Sequence, residues 1–251
     1  MATIGRFQKR DDVFYAQVVD GKIFRARGDI FGSPSFDKKP TPRQGLKTLV
    51  PVVPSKIIAV GVNYLDHARE MNRELPQAPL IWFKATTSLL RHGGKIEIPF
   101  PEHRTDFEAE LVIVIGRKAR NVTPVQAARH IFGYTAAQDI SDRHIQKADG
   151  QWARAKSFDT FTPLGPFVET QIDPNQLTIQ QFQNGERRQN SNTSQLIFKP
   201  AQIVSFASTN MTLLPGDVIL TGTPGGIGPI KSGDKLEVRI QGLAPLINTV
   251  K

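Results

Sequence analysis

The sequence predicts a mainly β protein with a few helices, an α+β fold, on three observations. Short apolar runs recur between turn residues, with 20 Gly and 18 Pro among 251 residues. Helical periodicity is confined to a few stretches. Strands and helices do not alternate regularly, which argues against a doubly wound parallel sheet.

Residues 13–31, VFYAQVVDGKIFRARGDIF, hold two alternating runs joined by Asp20-Gly21. That dipeptide is a strong hairpin signal, because both central positions of the tight turn want φ > 0. The Pro-containing connection SPSFDKKPTPRQG follows, and then KIIAVGV, a short buried-strand pattern. Residues 1–50 therefore read as a small N-terminal β-rich domain with a linker, and residues 51–251 as the main domain. In the main domain NYLDHAREMNREL (63–75) predicts a helix, with Asn63 as its N-cap and Pro76 as its stop. TPVQAARHI (123–131) has the Thr-Pro start of a second helix, and LIFKPAQIVSFAST (196–209) holds a third. The runs IWFK, KIEIP, ELVIVIG, PFVE, LTIQQF, DVILTG and KLEVRI read as strands.

Composition excludes several classes. There is no cysteine, hence no disulfide, no thiolate nucleophile and no thiolate metal site. The N-terminal MATIGRFQKRDD lacks the apolar centre of a secretory signal, and IIAVGV and LVIVIG are too short to span a bilayer. A cytoplasmic protein without membrane contact is expected. The net charge of +9 is dispersed, with KR at 9–10 and RR at 187–188 as the tightest basic pairs. Interleaved acids and the absence of a recognition motif argue against nucleic acid and for a solvated basic surface that steers small anions.

DFEAELVIVIG (106–116) is an apolar strand that opens with acids. Side chains alternate, so Glu108 and Glu110 share a face, with Cα atoms about 6.5–7 Å apart. Two carboxylates so placed raise each other's pKa unless a cation offsets them. By itself the pair fits a metal site or a strand end that meets solvent or basic side chains. AAQDISDRHIQKADGQW (136–152) adds Asp139, with Arg143 and Gln146 nearby. Three carboxylates make a hard oxygen site suited to Mg²⁺ or Mn²⁺, whereas zinc would recruit His or Cys.

Other segments carry weaker signals. In RAKSFDTFTPLGP (154–166), Lys156 is a surface lysine or a group that stabilises an oxyanion beside the metal. His67 and Glu70, three apart on a helix, are neighbours, so the carboxylate can orient the imidazole as a base; an idle exposed pair has the same spacing. LTGTPGGIGP (220–229) is neither a Walker A loop nor a dinucleotide fingerprint. Gly222 and Thr223 within it can offer an N–H and a hydroxyl to a carboxylate, or form a plain turn.

Taken in order, GVNYLDHARE, DFEAELVIVIG, QDISDRHIQ, KSFDTFTPLGP and PGDVILTGTPGGIG closely resemble the fumarylacetoacetate hydrolase family, from about residue 56 to the C-terminus. The resemblance implies a mixed β-sandwich or roll around one divalent-metal site, in a homodimer. It implies that Glu108, Glu110 and Asp139 hold Mg²⁺ or Mn²⁺. Arg143, Gln146 and Lys156 would bind substrate oxygens, and Gly222 and Thr223 its carboxylate. His67 and Glu70 look like the catalytic dyad of members whose mobile segment closes over the site. The implied reaction is C–C hydrolysis of an acylpyruvate-type 1,3-dioxo acid through a metal-bound enolate. Decarboxylation of oxaloacetate and isomerisation of a 2-hydroxy-dienoate are the alternatives on the same site, and a non-enzymatic basic binding protein is the third reading. The family commonly reads D-x-S-A-R-D-x-Q, where this chain carries Asp142 and His144, a departure expected to bear on specificity.

Overall fold

The computed structural model describes residues 2–72 and 74–251. Among these the strands form sheets of twelve, five and three strands. The expected hairpin is present: Asp12–Val19 pairs with Lys22–Arg27, and Asp20 and Gly21 both adopt positive φ, 47° and 73°. A strand the sequence reading missed, Thr3–Lys9, lies between this hairpin and Thr162–Glu169, pairing Ile4 with Val168. The N-terminal segment thereby extends the largest sheet.

The centre of that sheet is Ala109–Ile115, flanked by Ile131–Gln138 and Val218–Leu220. All seven of its residues are buried, because layers cover both faces. Leu111, Ile113 and Ile115 face a core that includes Ile179 and Val238 of the five-stranded sheet and Ile203, Val204 and Ala207 of a helix. Val112 and Val114 face a second core with Val52, Leu164 and Val168. Two-residue periodicity thus sorts one apolar run onto two cores.

The third helix forms as Pro200–Asn210, with Pro200 in its first turn. The second forms as Pro124–Ala127 continued by a 3₁₀ turn, and Thr123 and Gln126 make a capping box. The first is shorter than expected. It spans Leu65–Glu70 with Tyr64 at its N-cap; of the expected span, residue 73 lies outside the described residues. Asn63 does not cap it, because its side chain donates to the carbonyls of Phe198 and Thr221 and accepts from the Phe198 N–H. An unexpected helix, Arg143–Asp149, follows the cluster carboxylate Asp139 and is capped by Asp142.

Candidate active site

The acidic strand breaks where its acids stand. Thr105–Phe107 belongs to the three-stranded sheet and Ala109–Ile115 to the twelve-stranded one, so Glu108 occupies the crossing point. The antiparallel partner crosses at the same level. Ala109 pairs with Gln138, the Glu108 carbonyl accepts from the Asp139 N–H at 2.9 Å, and Asp106 then pairs with Ser141. Glu108 and Asp139, distant in sequence, are therefore placed side by side by register alone. On the other flank Val112 pairs with Leu220, which brings Gly222 level with Glu110. Ligand atoms of Glu108, Glu110 and Asp139 lie within 4.8 Å of one another, and all three side chains are buried.

Basic groups are distributed unevenly over this cluster. Lys156 Nζ donates to Glu108 (2.8 Å), Asp139 (2.6 Å) and Ser141 (2.7 Å). Lys84, fully buried, donates to Asp139 and to the Phe161 carbonyl. Arg143 bonds Asp106, Glu108 and Gln146 through separate guanidinium nitrogens. Glu110 contacts no basic side chain among the described residues and receives the Gly222 N–H at 2.6 Å.

The ionisation of these groups follows. Burial pushes the Glu108 carboxyl up, but Lys156 and Arg143 outweigh it and hold its pKa at about 2. Burial, then the charges of Asp139 and Glu108, push Glu110 well above the carboxylate range. Burial lowers Lys84, partly offset by Asp139, whereas Lys156 ends above its ordinary value because Asp139 and Glu108 outweigh its burial.

The cluster opens on a cavity of about 250 Å³ lined also by His67, Trp82, Arg143, Gln146, Trp152 and Thr223. Its size is below that of a drug-sized pocket and suits a small acid. Trp82 and Trp152 meet edge to face at 4.9 Å, and the Lys156 ammonium sits 5.3 Å from the Trp82 ring centroid. His67 is 7% exposed, and its Nδ1 meets Glu70 Oε2 at 3.1 Å. Glu70 in turn accepts the Gly226 N–H at 3.1 Å. A Cβ at Gly225 would stand 3.0 Å from Glu70 Oε2, so a residue without a side chain lets the loop close on the dyad.

Residues 56–251 match the family model described as Fumarylacetoacetate (FAA) hydrolase C-terminal. The chain belongs to the fumarylacetoacetate hydrolase family. It is 41% identical over 221 residues to the mitochondrial oxaloacetate tautomerase of Xenopus laevis, covering 83% of this chain and 69% of that one. The 5-carboxymethyl-2-hydroxymuconate delta-isomerase structure from Mycobacterium smegmatis superposes with a TM-score of 0.92 at 39% identity, over 100% of this chain and 99% of that one. The 2-hydroxyhepta-2,4-diene-1,7-dioate isomerase structure from Mycobacterium marinum gives 0.91 at 38% identity, over 100% and 98%. The protein is thus a family enzyme with the α+β fold of its relatives.

In this fumarylacetoacetate hydrolase family chain, the expected site residues converge on one cavity region, but several make contacts other than those expected. The Lys156 ammonium donates to three protein acceptors, so it organises Glu108 and Asp139. Gly222 gives its N–H to Glu110. The Thr223 hydroxyl donates to the Ala109 carbonyl and accepts from Gln189. Glycine-loop amides do bind carboxylates, but those of Glu110 and Glu70 in the protein itself. Asp142 caps its helix and meets His103 Nδ1 at 2.7 Å, and His144 stacks on His103 at 4.3 Å; neither lines the cavity. Sequence reasoning missed Lys84 and Asp106 as parts of the ion network. A charged residue closing the apolar run IWFK was the available signal for Lys84.

The donor set fits a divalent cation. Three buried carboxylates offer only oxygen, and among the described residues no basic side chain bonds Glu110, whose charge Lys156 offsets only in part. Glu108, Glu110 and Asp139 could together hold such an ion.

Proposed function

We propose that the protein interconverts the keto and enol forms of a small 2-oxo acid, with Mg²⁺ or Mn²⁺ held by Glu108, Glu110 and Asp139. The carrying observation is that a histidine oriented by a carboxylate opens onto the same cavity as the acid cluster. The cation, when bound, supplies Lewis acidity toward the substrate's keto-acid oxygens.

The chain's own residues do the rest. With Nδ1 engaged by Glu70, Nε2 of His67 is the ring nitrogen left to take a proton. It removes one from the carbon beside the keto group; the C–H electrons become the C=C bond, the C=O π electrons move onto the keto oxygen, and the protonated His67 returns the proton to that oxygen. Glu70, held by Gly226, keeps the imidazole oriented during the transfer. Gln146 accepts from Arg143 at 2.8 Å, which leaves its amide NH₂ for a substrate oxygen. Lys156 and Arg143 keep Glu108 ionised, and Lys156 and Lys84 hold Asp139 aimed at the same point. The tautomerase and isomerase activities named for the relatives support proton transfer as the core chemistry.

Hydrolysis of an acylpyruvate-type 1,3-dioxo acid is the second reading, favoured by the His67–Glu70 pair, which suits a base that activates water. Simple decarboxylation requires no such base. A homodimer in the cytoplasm, acting on a small 2-oxo or 1,3-dioxo acid through a catalytic domain at 51–251, completes the proposal. Oxaloacetate, acylpyruvates and hydroxymuconate-type acids assayed with Mg²⁺ and Mn²⁺ separate the readings. His67→Asn is expected to slow tautomerisation about 10²–10⁴-fold while keeping the metal-induced rise in Tm. Wild-type tautomerisation by that variant would refute the role of the dyad.

A further inference from the structure

Among the described residues three cationic side chains, Arg143, Lys147 and Lys156, line the cavity, and they are not equivalent. Arg143 is committed to Asp106, Glu108 and Gln146, and Lys156 to Glu108, Asp139 and Ser141. Lys147 lines the same cavity, is exposed, and has no ion pair or hydrogen bond among the described residues. Its backbone explains the placement. Arg143, Gln146 and Lys147 occupy positions i, i+3 and i+4 of the helix Arg143–Asp149, so they share one face. The first two reach inward to the Glu108 side of the cavity, and Lys147 stands one turn further along. Among the described residues the only carboxylates that line the cavity are Glu108 and Glu110, both in the cluster. An anionic group extending from the cluster therefore meets an unpaired ammonium and no competing acid.

We propose that Lys147 is a specificity-determining residue that binds a second carboxylate, distal from the keto-acid head of the substrate. The inference rests on the reading that the 2-oxo acid head docks at Glu108, Glu110 and Asp139. Given that orientation, dicarboxylic 2-oxo acids are selected over monocarboxylic ones of equal length. Arginine at this position would preserve the selection, and an apolar side chain of similar reach would abolish it.

The test compares 2-oxoglutarate with 2-oxopentanoate, which share the head and the five-carbon length, by calorimetric titration of the Mg²⁺-loaded protein. The wild type is expected to bind the diacid about fivefold more tightly, the size of a partly exposed ion pair. Lys147→Met should bring the ratio to about one, and Lys147→Arg should restore it. Lys118→Met, beyond the far end of the Ala109–Ile115 strand, controls for general steering by the net charge of +9 and should keep the wild-type ratio. A wild type without preference, or a Lys147→Met protein that retains it, overturns the proposal. Loss of the preference in Lys118→Met as well would assign it to the overall field and overturn it equally. Tautomerisation of oxaloacetate is measured in parallel on the wild type. If that activity is absent while the Lys147-dependent preference is present, the proposed reaction falls and the carboxylate contact stands; the reverse pattern discards only Lys147.

Discussion

Glu110→Gln is expected to stabilise the metal-free protein while removing its response to metal. Glu110 is buried and shares a space with two other carboxylates whose ligand atoms lie within 4.8 Å, so each pair repels by at least about 3 kcal/mol at an effective dielectric near 20. Lys156 offsets part of this, but the charged form remains disfavoured and the carboxyl is held well above its ordinary range. The sign follows from linkage. A raised folded pKa means that the native state holds a proton the unfolded chain has released. Stability is full below the unfolded pKa and falls as pH rises toward the folded one, by up to about 1.4 kcal/mol per pH unit. Glutamine keeps the acceptor for the Gly222 N–H and never ionises. Between pH 5 and pH 7 the variant should therefore gain up to about 3 kcal/mol on the wild type, or about 5–10 °C in Tm. Thermal melts across that range with chelator, and again with Mg²⁺ or Mn²⁺, measure both halves. Metal should raise Tm in the wild type, more at pH 8 than at pH 5, and should leave the variant unmoved. A variant less stable than wild type at pH 7 without metal, or one that keeps the metal shift, would refute the account of an uncompensated buried carboxylate.

Arg143→Lys retains the charge but not the planar fork that spans Asp106, Glu108 and Gln146, so chemical denaturation should show a loss of about 2 kcal/mol. The same variant should lose kcat/KM, because Glu108 and Gln146 are no longer held. Leu111→Ala opens a cavity at a fully buried position in the central strand and should cost about 2–5 kcal/mol in urea unfolding, with the metal-induced Tm shift retained in the folded fraction.

Much of the site was legible because its chemistry is written in short segments. The Glu108–Glu110 spacing, the Asp139 turn and the His67–Glu70 pair each lie within a few residues, and local periodicity is enough to read them. The hairpin at Asp20-Gly21 was legible for the same reason, since two positive φ angles are a local demand of the turn. Helix Leu65–Glu70 was overestimated in length because Asn63, by local rules a cap, bonds instead to Phe198 and Thr221 across the fold.

By itself the sequence determined the α+β class, the acids that cluster, and the family to which the chain belongs. Tertiary structure decided which base serves which acid. Lys84 and Lys156 meet at Asp139 from different segments, and Gly222 reaches Glu110 through strand pairing across more than a hundred residues. Such contacts depend on register and burial, which arise only when strands distant in sequence are laid side by side. Among the described residues the same packing left Glu110 without a basic partner and Lys147 without an acidic one, and these two groups are where an ion and a substrate are expected to enter.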